Sequence, residues 1–346
     1  MRAVVYRQTG GPEVLLLVDR PEPDAGPGEV VVRVAVSGVN PTDWKVRKGS
    51  KAGEATRWPG VVPNQDGAGT VVAVGAGVDP SRVGERVWLW EAAWRRSEGT
   101  AQELVAIAQD HAVTLPAATS FDVGASLGIP AITAHRALTV ADGGPGGLGP
   151  DTLAGRTVLV AGGAGAVGHA AIQQARWSGA TVVTTVSSPE KGALATAAGA
   201  HHLVNYRAGD AAAAIREIAP DGVDIVVEVA PVANATLDAA VVGRDGTVAI
   251  YASEGDAPLA VPVRPSMSAN VRYQFILVYT MPDGAKQRAV HDVSAAVSAG
   301  VLDVGEAAGL PLHRFPLART ADAHAAVEAG AVGKVLIDVA DAAPPP

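Results

Sequence analysis

The chain has no cysteine among its 346 residues, which excludes disulfides, thiolate nucleophiles and every cysteine-ligated zinc or iron–sulfur site, and fits a reducing compartment. Aromatic residues are few, at 4%, and no stretch carries a run of like charge. With 27 basic against 35 acidic residues and a net charge of −8, the chain lacks the electrostatic footprint of a nucleic-acid binder. Its start lacks the basic and apolar pattern of a signal peptide, so a cytoplasmic location is expected. Residues 157–175 contain no Asp, Glu, Lys or Arg and are long enough to suggest a membrane helix. They hold four glycines, two glutamines and a histidine, so a strand, a glycine turn and a helix explain them better and no membrane span is expected.

What is present is 48% apolar residues and 18% charged ones, enough for well-filled cores in one large or two ordinary domains. The first hundred or so residues read as β: segments 4–6, 14–18, 29–36 and 68–74 are rich in β-branched residues and separated by Gly/Pro/Asp clusters, with no competing helical periodicity. From about Asp122 alanine-rich helical segments alternate with short apolar strands at 158–161, 181–186, 203–204, 224–229, 247–251 and 274–278. Such alternation means βαβ units and a parallel sheet with right-handed crossovers. A glycine-rich connector at 141–155 precedes the first of these strands. A helix at about 285–299, a strand at 333–339 and a frayed tail at 341–346 complete the reading.

One motif carries chemistry. The strand 158–161 runs into Gly163-Ala164-Gly165-Ala166-Val167-Gly168, followed by a helix-forming segment. GxGxxG between a strand and a helix is the dinucleotide fingerprint: the first glycine serves the turn, the second lets backbone approach a pyrophosphate, and the third lets helix and strand pack closely. The helix N-terminus adds free N–H groups and a partial positive charge. About 20 residues on, where an acidic residue would hold the ribose of NAD, stand Ser187 and Ser188, with Lys191 beyond and Tyr206-Arg207 after the third strand. Hydroxyls and cations suit the extra phosphate of NADP, so NADPH is the expected cofactor. Taken singly, Lys191 and Arg207 read equally well as solvated charges.

These residues, with Met1-Arg2-Ala3-Val4, residues 28–34, Gly38-Val39-Asn40-Pro41-Thr42-Asp43, Gly84-Glu85-Arg86-Val87 and residues 128–134, resemble the zinc-free branch of the medium-chain dehydrogenase/reductases, and within it the zeta-crystallin-like NADPH:quinone oxidoreductases. The resemblance spans essentially the whole chain. It implies an α/β architecture: a GroES-like β domain (1–124, completed by 285–346), a Rossmann domain with a doubly wound parallel sheet (125–284), an active site in the cleft, and a homodimer. It places Asn40 and Thr133 near the nicotinamide, Lys191, Tyr206 and Arg207 at the adenosine phosphate, and Tyr251, Phe275, Leu277 and Lys334 beside the cofactor.

The departures matter too. The place of the zinc-dependent members' Gly-His-Glu signature reads Asn64-Gln65-Asp66, so no catalytic metal is expected. Where many of these quinone reductases have a tyrosine five residues after the asparagine, this chain has Lys45. A partly desolvated lysine there would serve as proton donor; the alternative is an exposed lysine beside Arg47 and Lys48. Asn40 likewise reads as a nicotinamide or carbonyl contact, or as a turn residue before Pro41. Five tryptophans (Trp44, Trp58, Trp88, Trp90, Trp94) fall in the β-rich part, where core packing competes with a flat wall for substrate. The expected function is zinc-independent hydride transfer from NADPH to a small-molecule quinone or activated enone. The alternatives are an alkenal reductase and an NADPH-binding protein with little turnover.

Overall fold

The computed structural model describes residues 1–253, 255 and 257–339; the tail expected to fray at 341–346 lies outside them. In chain order the elements are β1 (Arg2–Val5), β2 (Leu16–Asp19), β3 (Glu29–Val39), α1 (Pro41–Lys48), β4 (Asp66–Val74), β5 (Arg86–Leu89), β6 (Leu104–Ala108), β7 (Ala112–Thr114) and α2 (Phe121–Leu138). Next come β8 (Thr157–Ala161), α3 (Ala166–Trp177), β9 (Thr181–Val186), α4 (Pro189–Ala197), β10 (His202–Asn205), α5 (Ala211–Ile218), β11 (Val223–Glu228), α6 (Pro231–Val241) and β12 (Val242–Ile250). The chain closes with α7 (Val263–Ser268), β13 (Arg272–Phe275), α8 (Asp283–Ser298), β14 (Leu312–Pro316), α9 (Thr320–Glu328) and β15 (Lys334–Asp338).

Two compact units result, one of Met1–Ile129 with Pro311–Pro346 and the other of Pro130–Leu310. The chain returns to the first unit later than the expected residue 285. Helix α8 buries Ala289, Val293 and Ala296 and belongs to the second unit, and only β14, α9 and β15 come back.

The first unit is organised by β3. This strand pairs antiparallel with β4 along most of its length, with β6 through residues 29–33 and with β15 through 36–39. Flanked in this way, it reads as a nearly continuous buried run, with Val30, Val32 and Val34 fully buried. They join Val87, Leu89, Ile107, Val335 and Ile337 in one core. Of the tryptophans, Trp88 and Trp90 are buried, and Trp90 stacks on His111 with ring centroids 4.1 Å apart, a packing role for both. Helix α2 lies close on this sheet: a Cβ at Gly128 would fall 2.1 Å from Asp66 Oδ1. Helix α1 is the element that β-patterning in this half concealed.

The second unit holds a six-stranded parallel sheet in the order β10-β9-β8-β11-β12-β13. Counted from β8 this is 3-2-1-4-5-6, the doubly wound order whose direction reverses between β8 and β11. The uncharged stretch that mimics a span is β8, a turn and α3, and no helix among the described residues is long and apolar enough to cross a membrane. The glycine-rich connector is a loop, tied down by Asp292 of α8, which accepts from the Leu148 N–H at 2.7 Å and bonds His135 Nε2 at 2.8 Å. Burial alone would raise the Asp292 pKa, but the hydrogen bonds from His135, His291 and Leu148 outweigh it and hold the carboxyl at about 2.

Candidate functional site

In the second unit the expected cofactor residues gather at the carboxyl edge of one sheet. Gly163, Gly165, Ala166, Val167 and Gly168 follow β8; Ser187, Ser188 and Lys191 follow β9; Tyr206 and Arg207 follow β10; Tyr251 follows β12; and Phe275 and Leu277 end or follow β13. The glycines divide their work differently from the motif's expectation. The left-handed residue is Gly162, with φ +70°, whereas Gly163 is required by closeness: its Cβ would lie 2.2 Å from Thr184 Oγ1. At Gly165 a Cβ would meet nothing nearer than the Gly162 carbonyl oxygen at 3.5 Å, so this face of the turn has room. A Cβ on Gly168 would press to 2.5 Å from the same oxygen, which makes this glycine the helix–turn packing residue.

Gly165 N-caps α3, leaving the N–H groups of Ala166, Val167 and Gly168 without intrahelical acceptors. These donors, the helix dipole and the open face of Gly165 fit a pyrophosphate. Ser188 has a second task, because it N-caps α4 and its Oγ accepts from the Lys191 N–H at 3.4 Å. Tyr206 and Arg207 are exposed, with the guanidinium 6.0 Å from the ring centroid. Phe275 and Leu277 are 65% and 55% exposed. Tyr251 is the contrary case: burial and the neighbouring Glu228 carboxylate push its phenol far above the ordinary range.

Glu228, at the end of β11, was not visible to motif reasoning. It is fully buried, receives both contacts of the Asn234 amide at 3.0 and 3.1 Å, and is also bonded by the Ala230 N–H. Burial first, and then the Glu228 charge, raise Asp238 to about 9, and burial raises Glu228 in the same direction. Thr133, on α2 in the same unit, is buried.

The first unit holds the other expected residues. Asn40 N-caps α1 and is 2% exposed. Its Nδ2 donates to Asp66 Oδ2 at 2.7 Å, and its Oδ1 accepts from Lys334 Nζ at 2.7 Å. Lys334, expected beside the cofactor, is 1% exposed, with its ammonium also 3.6 Å from Asp66 Oδ2. Asp66 Oδ1 accepts from the Ile129 N–H at 2.9 Å. Asp43, three residues into the same turn, accepts from the N–H groups of Asn40 at 2.7 Å and Gln65 at 3.1 Å. Burial first, and then the Asp66 charge, raise Asp43 to about 8; burial likewise pulls Lys334 down against the two carboxylates.

Lys45 stands apart from this cluster. It is exposed, its ammonium 5.9 Å from the Trp44 ring centroid, as in the plainer of its two expectations. Its neighbour Arg47 reverses expectation: it is fully buried and donates to Glu328 of α9 at 2.7 Å. Also hidden from sequence reasoning is His324 of α9, fully buried, with Nε2 bonded to Asn64 Oδ1 at 2.9 Å.

Two outcomes follow from this geometry. Gly168→Ala is expected to cost about 1–3 kcal/mol by overpacking and to weaken dinucleotide binding, measured by thermal melting and by titration; an unchanged melting point and affinity would refute the close-packing role. His324 is held neutral by burial and by the Arg47 charge, which push its pKa down to about 3. Because the folded value lies below the unfolded one, its contribution is whole above about pH 6.5 and falls by roughly 1.4 kcal/mol per unit towards pH 3. Asp43, raised on folding, slopes the other way between about pH 4 and 8. The difference between wild type and His324→Gln isolates the histidine, and equal acid slopes for the two proteins would refute its assignment.

Comparison with known proteins agrees with this picture. Residues 26–117 match the alcohol dehydrogenase GroES-like domain and residues 166–296 the zinc-binding dehydrogenase family. The quinone oxidoreductase of Lama guanicoe is 31% identical over 342 residues, covering 97% of each chain. Among solved structures, the quinone oxidoreductase of Escherichia coli, complexed with NADPH, superposes with a TM-score of 0.78 at 25% identity, covering 98% of this chain and all of its own. An NAD-dependent alcohol dehydrogenase superposes with a TM-score of 0.82 at 27% identity over 98% of this chain and all of its own. The residues standing at the zinc signature do not fit a zinc site: Asn64 bonds Ser37 and His324, the Gln65 Oε1 accepts from the Ala93 N–H, and both Asp66 oxygens are engaged. With no cysteine anywhere, the thiolate donors of such a site are missing. The chain belongs to the medium-chain dehydrogenase/reductase superfamily and, within it, to the zeta-crystallin-like quinone oxidoreductases, a family of oxidoreductase enzymes.

Proposed function

We propose that the protein is an NADPH-dependent, zinc-independent reductase that transfers a hydride to quinones or activated enones in the cytoplasm. The observation that carries this reading is the polarity of the carboxyl edge of the parallel sheet. A helix N-terminus with free N–H groups faces an open glycine turn, and hydroxyls with Lys191 and Arg207 follow the next two strands where a ribose-binding carboxylate would stand. The E. coli relative solved with NADPH supports the same choice of cofactor.

The reduced nicotinamide, when bound, supplies the hydride. The protein's part is placement. The N–H groups of Ala166, Val167 and Gly168 would hold the pyrophosphate, Ser187 would donate a hydrogen bond to the phosphate of the adenosine end, and Lys191 and Arg207 would neutralise its charge. Asn40 and Thr133 orient the reacting end. A conjugated acceptor needs little more, because its own π system delocalises the charge that a metal would otherwise stabilise. One proton completes each two-electron reduction, and exposed Lys45 is the candidate to deliver it and recover it from solvent. The Asn64-Gln65-Asp66 segment, engaged in internal hydrogen bonds, supports the metal-free character.

The reading extends to a homodimer formed through the second unit. Among the described residues strand β13 is the last of the parallel sheet and its outer edge is unpaired, and Val263 and Met267 of the preceding helix are 68% and 72% exposed. An unprotected edge beside apolar side chains invites pairing with a second copy.

The test is NADPH oxidation followed by absorbance, with and without EDTA and with NADH in parallel, against quinones, enones and 2-alkenals. Chelator-resistant turnover of quinones or enones, with NADPH favoured over NADH, is expected. Preference for 2-alkenals would make it an alkenal reductase, and saturable NADPH binding without turnover would make it a binding protein. For the dimer, Val263→Lys with Met267→Lys is expected to sediment as a monomer at concentrations where wild type is dimeric; a monomeric wild type would reject the interface.

A further inference from the structure

We propose that Lys334 is a positioning residue rather than a cofactor contact: with Asp66 it locks the side-chain amide of Asn40 in one orientation. The inference rests on the reading above that Asn40 meets the reacting end of cofactor or substrate.

The two ends of an asparagine amide are nearly equal in shape and opposite in hydrogen-bonding sense. Left to itself, a buried amide of this kind can turn over and present an acceptor where a donor is needed. Here the choice is forced by charge on both sides. The Lys334 ammonium meets Oδ1 at 2.7 Å, and the Asp66 carboxylate meets Nδ2 at 2.7 Å. Reversal would set an NH2 group against an ammonium and a carbonyl oxygen against a carboxylate, all three side chains being 2% exposed or less, where such clashes are little screened.

The surroundings hold both jaws. The second oxygen of Asp66 is fixed by the Ile129 N–H at 2.9 Å, and Lys334 starts the strand β15, whose pairing with β3 begins at the next residue. The Asn40 backbone is fixed separately, through its N–H to Asp43 Oδ2 at 2.7 Å. Main chain and amide of a single residue are therefore set by three different ionisable side chains. A buried ammonium whose nearest partners are the Asn40 and Asp66 side chains acts on the reaction through them.

Removing Lys334 alone would leave Asp66 buried and unbalanced, which risks misfolding. The test therefore uses the neutral pair Lys334→Met with Asp66→Asn, placed in both the wild-type and the Asn40→Ala background, with melting temperature checked throughout. Two readouts are taken: the single-turnover rate with the best acceptor, and the change in NADPH emission at saturation. In the wild-type background the pair is expected to slow transfer on the order of 10–100-fold and to alter the emission, while in the Asn40→Ala background it adds little to either. Equal effects in both backgrounds, or no effect in either, would overturn the proposal. If the wild type turns over no acceptor, the functional reading fails, and the emission readings alone still decide whether Lys334 acts through Asn40.

Discussion

The contact between Lys334 and Asp66, with the Asn40 amide between them, is the constraint around which the first unit is arranged. It joins the last strand of the chain to β4 and to the start of α1, residues almost three hundred positions apart in sequence. A buried ion pair is a poor source of net stability, because desolvation offsets most of its attraction, yet losing one partner is expensive. Its value is specificity of arrangement. Gly128 keeps α2 close enough for the Ile129 N–H to reach Asp66, and the Asp43 carboxyl, also buried, is tied to the Asn40 backbone. Two further links run in the same direction, Arg47 to Glu328 and Asn64 to His324. The returning segment is thus fastened to the N-terminal part by polar bonds as well as by the core that Val335 and Ile337 share with β3.

Most of the fold was legible because its signals are local. The apolar runs after Asp122 carry their own flanking turns, and each became a strand of the parallel sheet. The glycine turn could be placed because the strand before it and the helix after it are themselves plain. Helix α1 was missed for a physical reason: only eight residues long and mostly polar, it has no apolar stripe to give a period. Its signal was at its start, where Pro41 at the first helical position and Asp43 at the third form an N-terminal signature.

The polar interior was far less legible. Lysine, arginine and aspartate are ordinarily surface residues, so nothing in the string predicts that Lys334, Arg47 and Asp66 are among its most buried side chains. Their burial depends on partners remote in sequence, a relation that patterning does not encode. The same applies to Glu228 and Asp238, ten positions apart, which meet only because β11 and α6 fold back on each other. The glycine motif shows the limit in miniature: its spacing was read correctly, but the left-handed position is Gly162, one residue earlier, and Gly163 is fixed by Thr184 on the next strand.

The segment that stands where the family's zinc-binding members carry their signature is held by internal hydrogen bonds. At the segment Asn64-Gln65-Asp66 the side chains have become hydrogen-bonding partners of Ser37, His324, Ala93, Asn40 and Ile129. Each of these bonds holds its side chain in one orientation. Restoring one ligand by substitution would therefore break internal bonds before creating a site, and would leave buried partners unsatisfied at a cost of about 1–3 kcal/mol each.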